Sequence, residues 1–133
     1  MTSSDEPKPD YLEPPDLLVM IDGERLQPAR GTYSWSADMG NGMVEAIVTE
    51  SFAPPELVEG HTPREVAPDT EIELNFETPP VNYEIRIWNE DGMIKNIAEQ
   101  FRLSEQRGKV IYEVVARWEE GEVHYAFTVN VIQ

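Results

Sequence analysis

Two stretches near the carboxy terminus, GKVIYEVVARW and EVHYAFTVNV, place apolar side chains at every second position. In the first, Val110, Tyr112, Val114, Ala116 and Trp118 share a parity; in the second, Val123, Tyr125, Phe127, Val129 and Val131 do. Side chains of an extended strand alternate between its faces, so each stretch reads as a strand with one dry side. A turn at Glu120-Gly121 sets Trp118 opposite Val123, Ala116 opposite Tyr125 and Val114 opposite Phe127. On the other face the same register sets Arg117 opposite His124. All ten apolar side chains then meet on one side of a hairpin. A slip of one residue turns one strand's set to water. Each large member is worth roughly 1.5–3 kcal/mol when buried, so the shared face is strongly specified.

The rest of the chain repeats this grammar. In TEIELNF, Ile72, Leu74 and Phe76 oppose Glu71, Glu73, Asn75 and Glu77, a solvated row; in NYEIRIW, Tyr83, Ile85 and Ile87 oppose Glu84, Arg86 and Trp88. Pro79-Pro80 between them cannot donate to a ladder, which favours a crossing between sheets. LLVMID ends in Asp22-Gly23, a dipeptide suited to a tight hairpin, and GTYSWS and MVEAIVTE follow as strands joined near Asn41-Gly42. The four-proline segment FAPPELVEGHTPREVAP reads as a long ordered loop with one helical turn near Pro55–Val58. MIKNIAEQF suits either a helical face of Ile94, Ile97 and Phe101 or a strand and turn. Short strands punctuated by turn signals predict an all-β, antiparallel sandwich.

Length and composition set the outer limits. The 133 residues, 40% of them hydrophobic, suit one domain, here residues 17–133. Residues 1–16 carry four prolines, five acids and one lysine, and read as a disordered acidic spacer. A net charge of −16 repels phosphate backbones and anionic headgroups, so neither nucleic acid nor a membrane surface is an expected partner. The chain has no cysteine, which removes disulfides and thiolate chemistry. No apolar run reaches the roughly 18 residues of a spanning helix. MTSSDEPKPD is not a signal peptide.

The stretch GKVIYEVVARWEEGEVHYAFTVNV resembles strands F and G of immunoglobulin-like and fibronectin-III-like sandwiches. Tyr112 matches the strand-F tyrosine whose hydroxyl bonds back to the preceding corner, and TEIELNF and NYEIRIW correspond to strands B and C. The cysteine pair of antibody domains is lacking. A wider likeness runs through IDGERL, GTYSW, APPELVEGHTPREVAP, TEIELNF and GKVIYEVVARWEEGEVHYAF. In that order they resemble small extracytoplasmic domains of Bacillus-type bacteria, many of them lipoproteins of unknown function. Such domains often carry cysteine beside the tryptophan of the GTYSW segment; here Ser34 and Ser36 flank Trp35. The resemblance implies an exported, non-catalytic domain of the cell envelope, tethered through a removed leader. It implies no ligand.

Candidate chemistry is sparse. GTYSWSADMGNG lacks the lysine of a phosphate loop, and Asp38 with Asn41 falls short of a calcium loop. A strand and turn are expected there, with weak cation binding as the alternative. His61, in the proline-rich loop, and His124, on an outward face, lack the close spacing of a zinc pair and read as surface residues. No Gly-x-Ser-x-Gly elbow occurs, and no pair of carboxylates stands out for hydrolysis. Trp118 belongs to the core by parity, and Trp88 lies outside its sheet or at a rim. Tyr33 and Trp35 are either covered by the amino-terminal strand or free to stack on sugar or peptide.

Tyr33, Trp35, Trp88 and His61 are accordingly the candidate ligand-binding residues, with no catalytic residue, metal or cofactor expected. The expected function is a non-catalytic binding or protein-interaction module of a bacterial cell envelope. Its partner, a protein or cell-wall component, touches the loop Ser51–Pro68. The alternative is a carbohydrate- or cation-binding module; the shortage of nucleophiles and bases argues against an enzyme.

Overall fold

The computed structural model describes residues 13–38 and 42–132. Ten strands follow one another: β1 (Leu17–Ile21), β2 (Glu24–Leu26), β3 (Ala29–Asp38), β4 (Val44–Thr49), β5 (Arg64–Val66), β6 (Ile72–Phe76), β7 (Asn82–Trp88), β8 (Ile94–Ala98), β9 (Gly108–Trp118) and β10 (Gly121–Val131). A single helical turn, α1 (Pro54–Leu57), sits between β4 and β5. The protein is all-β. A three-stranded sheet, ordered β2-β1-β6, packs on a seven-stranded sheet in which six strands run in the order β4-β3-β10-β9-β7-β8 and the seventh, β5, pairs with β10 off this path. Every pairing is antiparallel except β5 with β10. β9 runs along one edge of β10, while β3 and then β5 share the other.

The local signals explain these elements. Asp22 and Gly23 both have positive φ, 49° and 81°, the geometry of a tight hairpin turn between β1 and β2. Pro54 and Pro55 open α1, where a missing N–H costs nothing. MIKNIAEQF takes the strand alternative as β8 and a following turn. Ile94 and Ile97 stay exposed on this outer strand, and Phe101 turns inward, its ring 5.0 Å from that of Tyr112.

All ten alternating residues of β9 and β10 enter one buried cluster with Leu17, Val19 and Ile21 of β1 and Ile85 and Ile87 of β7. The shared face therefore forms as expected, but the register differs by two residues. Trp118 pairs with Gly121, Ala116 with Val123, Val114 with Tyr125 and Tyr112 with Phe127. A two-residue shift preserves parity, so burial is unaffected. The turn consists of Glu119 and Glu120, and Gly121 serves the strand instead. A Cβ placed there would fall 1.9 Å from the Ser34 carbonyl oxygen of β3. That glycine marks the close approach of a third strand.

A second correction concerns Tyr112. Its hydroxyl makes no bond to a corner; among the described residues it is the buried side-chain polar atom without a hydrogen-bond partner. Burial pushes the phenol up to about 12. Tyr125, on the neighbouring strand, donates instead to the Pro15 carbonyl at 2.6 Å. The folded unit thus takes in residues 13–16. Pro14 and Pro15 are buried, Arg30 pairs with Glu13 and Asp16, and Glu77 N–H donates to the Asp16 carbonyl at 2.9 Å. The remainder of the acidic segment lies outside the described residues.

The two tyrosines give a paired test. Tyr112→Phe removes a hydroxyl that gains nothing from burial and is expected to leave stability unchanged or to raise it by up to about 1 kcal/mol. Tyr125→Phe strands the Pro15 carbonyl and is expected to cost about 1–1.5 kcal/mol in urea unfolding.

Candidate functional site

The outer face of the β7-β9-β10 ladder is not a simple solvated surface. Val115 lies at its centre, fully buried, opposite Glu84 on one side and His124 on the other. Six charged side chains surround it in a closed, alternating ring. Arg86 Nε donates to Glu84 at 2.6 Å, and an Arg86 Nη lies 3.7 Å from Glu113. Glu113 accepts from His124 Nδ1 at 2.7 Å, and His124 Nε2 meets Glu122 at 3.0 Å. Arg117 closes the circuit, with Nε 2.9 Å from Glu122 and Nη1 3.6 Å from Glu84. His124 is thus not opposite Arg117, as the sequence register had it. It sits opposite Val115 and bridges two carboxylates, half-buried.

Glu113 is the buried member, only 4% exposed, and its other oxygen accepts from the Trp88 indole N–H at 3.0 Å. A buried carboxylate persists only when its lone pairs are met, and here three side chains converge on it. With a carboxylate at each ring nitrogen, both of which become donors in the imidazolium, the protonated form of His124 is favoured over the neutral one. The hydrogen bond to Glu113 is the main cause, and it raises the pKa against the opposing effect of burial. Burial works on Glu122 too, raising it, but the hydrogen bonds from His124 and Arg117 outweigh that and hold the carboxyl low.

A pH dependence follows with a definite sign. The His124 contribution is complete below its unfolded pKa of 6.5 and is lost as pH rises through the raised folded value. The Glu122 contribution is complete above 4.5 and is lost as pH falls through its lowered value. The ring therefore contributes most between those limits. Urea midpoints are expected to fall from pH 6 to pH 9, and His124→Gln is expected to flatten that alkaline slope.

Next to the ring, α1 and the preceding loop stand over β3, β10 and β9. Val58 packs on Ile111 and Ala126, with Leu57 and Trp88 completing this second, outer cluster. Between loop and sheet lies a pocket of about 360 Å³. Phe52, Pro54, Leu57 and Trp88 supply apolar walls; Arg86, Glu113 and His124 line its polar side. The loop is held down in part by Ser51 N–H, which donates to Thr32 Oγ1 at 3.0 Å. Gly31 keeps the wall thin, since a Cβ there would lie 3.1 Å from Leu57 Cδ2. A wider cleft of about 570 Å³ between β6 and β7 is rimmed by Glu71, Glu73 and Glu99 and has no comparable buried polar group.

Of the four candidate ligand-binding residues, Trp88 alone lines the pocket, although the expected contact loop Ser51–Pro68 supplies Ser51, Phe52, Pro54 and Leu57 to its wall. Tyr33 and Trp35 are buried in the core, where Trp35 meets Trp118 edge-on at 5.5 Å; neither offers a face for stacking. His61 is exposed, its backbone N–H bonded to Val58 at 2.9 Å. The Asp38 side chain and Asn41 lie outside the described residues. No group of three His, Cys, Asp or Glu suited to a metal occurs among the described residues. Glu113, Arg86, Glu122 and His124 were missed as a set. One signal was present: the outward positions Ile111, Val115 and Ala126 are apolar, and a strand apolar on both faces is covered on both. No protein-family model, no curated protein and no solved structure matches the chain.

Proposed function

We propose that the protein is a non-catalytic recognition module with an immunoglobulin-like sandwich, displayed at a bacterial cell envelope. Its partner, a protein or cell-wall component, contacts the pocket between the Ser51–Pro68 loop and the outer face of the large sheet. The order β8-β7-β9-β10 agrees with the C′-C-F-G sheet of immunoglobulin-like domains, which supports the finer fold assignment.

One observation carries the functional reading. The histidine at the pocket has both ring nitrogens bound to carboxylates, so it offers no free nitrogen to take a proton from a nucleophile. The arrangement stiffens a surface under a loop with exposed Phe52, and loops on rigid scaffolds are where recognition is usually placed.

Labelled protein is expected to bind intact cell envelopes, with protease treatment separating a protein partner from a cell-wall component, and Phe52→Ser is expected to reduce that binding. Calorimetry with soluble sugars and with calcium is expected to give no heat; heat with either moves the assignment to a carbohydrate- or cation-binding module. Turnover in a hydrolase screen that disappears in Glu113→Gln would overturn the non-catalytic reading.

A further inference from the structure

Resting on that reading, the pocket's unspent hydrogen-bonding capacity identifies the chemistry of its guest. Glu113 is committed on both sides and only 4% exposed: one oxygen accepts from Trp88 and the other from His124, and little of it is open to a guest. His124 has both nitrogens engaged. Arg86 differs. Its Nε is bonded to Glu84, but its terminal nitrogens make no hydrogen bond among the described residues beyond the 3.7 Å approach to Glu113. The free capacity at the polar end is therefore donor capacity, and it is a guanidinium fork, which matches a carboxylate with two parallel bonds.

The ring sets Arg86, His124 and Arg117 against Glu84, Glu113 and Glu122, so the bases at the pocket are already paired with carboxylates, and the guest is identified by donor geometry and not by net charge. A cationic guest would find Glu113 buried and already bonded at both oxygens. The remainder of the wall is apolar, from Phe52, Leu57 and Trp88, and a volume of about 360 Å³ is at the small end for ligand pockets. One side chain or ring fits, not a saccharide chain.

We infer that the pocket between the Phe52–Leu57 segment and the outer sheet face receives an apolar group that ends in a carboxylate, with Arg86 as its anchor. That chemistry has two sources, the carboxy-terminal residue of a polypeptide and a small free acid.

The test uses the intact protein and defined probes: acetyl-Leu-Leu, 3-phenylpropionate, the amide of each, and 3-phenylpropylamine. Binding is read by ¹H–¹⁵N NMR at the Trp88 indole N–H, assigned with Trp88→Phe. At least one acid is expected to shift that signal, with its amide and the amine at least roughly ten times weaker, as loss of a charge-assisted bidentate contact requires. Arg86→Gln is expected to weaken the acid by a similar factor and Arg86→Lys by less. Because Arg86 also balances Glu84 and Glu113, Phe52→Ser provides a second variant; it removes exposed wall only and is expected to weaken the acid while the remaining spectrum is unchanged. Binding by the peptide acid alone points to a polypeptide terminus, and by phenylpropionate alone to a small acid. Amide or amine bound as tightly as acid overturns the carboxylate assignment while leaving a recognition pocket in place. No shift with either acid at millimolar concentration overturns it as well. The envelope-binding assay judges the broader reading separately.

Discussion

Gly121→Ala is expected to remove at least about 3 kcal/mol of folding stability, above the usual cost of an extra methyl group in a packed site. The added Cβ would meet backbone, not a flexible side chain: the Ser34 carbonyl oxygen at 1.9 Å, its carbon at 2.8 Å and Trp35 Cα at 3.1 Å. Relief requires β3 to move away from β10. Their ladder includes Trp35 with Gly121 and Tyr33 with Val123, and Trp35 and Tyr33 both belong to the core. A domain of this size holds only about 5–15 kcal/mol in total, so a loss of that order brings the variant close to unfolding at 37 °C. Urea denaturation measures it. A cost under about 1 kcal/mol would mean that β3 does not approach β10 so closely. As a comparison, Gly60→Ala has open space around the new methyl and is expected to change stability by no more than about 0.5 kcal/mol.

Glu113→Ala is expected to cost about 2–4 kcal/mol. Truncation leaves the Trp88 indole N–H and the His124 Nδ1–H without their acceptor and removes one of the two carboxylates beside Arg86. Breaking a buried ion pair on one side typically costs about 3–5 kcal/mol. The lower range applies because Arg86 and His124 are each more than 20% exposed and recover some hydration. Glu113→Gln keeps an acceptor for the indole and is expected to cost about half as much. The exposed Glu73→Ala, in a row that faces solvent, is expected to stay within about 0.5 kcal/mol. Equal effects at positions 73 and 113 would show that the ring contributes nothing beyond surface charge.

The hairpin was legible because a period of two over eleven residues admits one inside face. Its pairing was not, because the turn signal of a glycine after an acid is the same whether the glycine turns the chain or admits a neighbouring strand. Tyr33 and Trp35 illustrate a second boundary. Parity puts them on one side of their strand, and only the tertiary packing, with Trp118 against Trp35, decides that this side is dry. The ring was hidden for a related reason. Glu84, Arg86, Glu113, Arg117, Glu122 and His124 come from three strands, and every cross-strand neighbour among them depends on register. A two-residue error replaces Val115 by Arg117 as the partner of His124 and dissolves the constellation. Residues 13–16 were read as spacer because their composition is that of one. Their order depends on Arg30 and Tyr125, which a local reading does not connect to them.

The closed ring beneath the loop is what distinguishes this face from an ordinary acidic surface, and the protonation of His124 reports on it most directly. In a ¹⁵N NMR titration of the imidazole, the midpoint is expected above 6.5, with both ring nitrogens protonated in most molecules at pH 6.5, and it is expected to fall in Glu113→Gln. A midpoint at or below 6.5, unchanged by Glu113→Gln, would contradict a histidine clamped between Glu113 and Glu122.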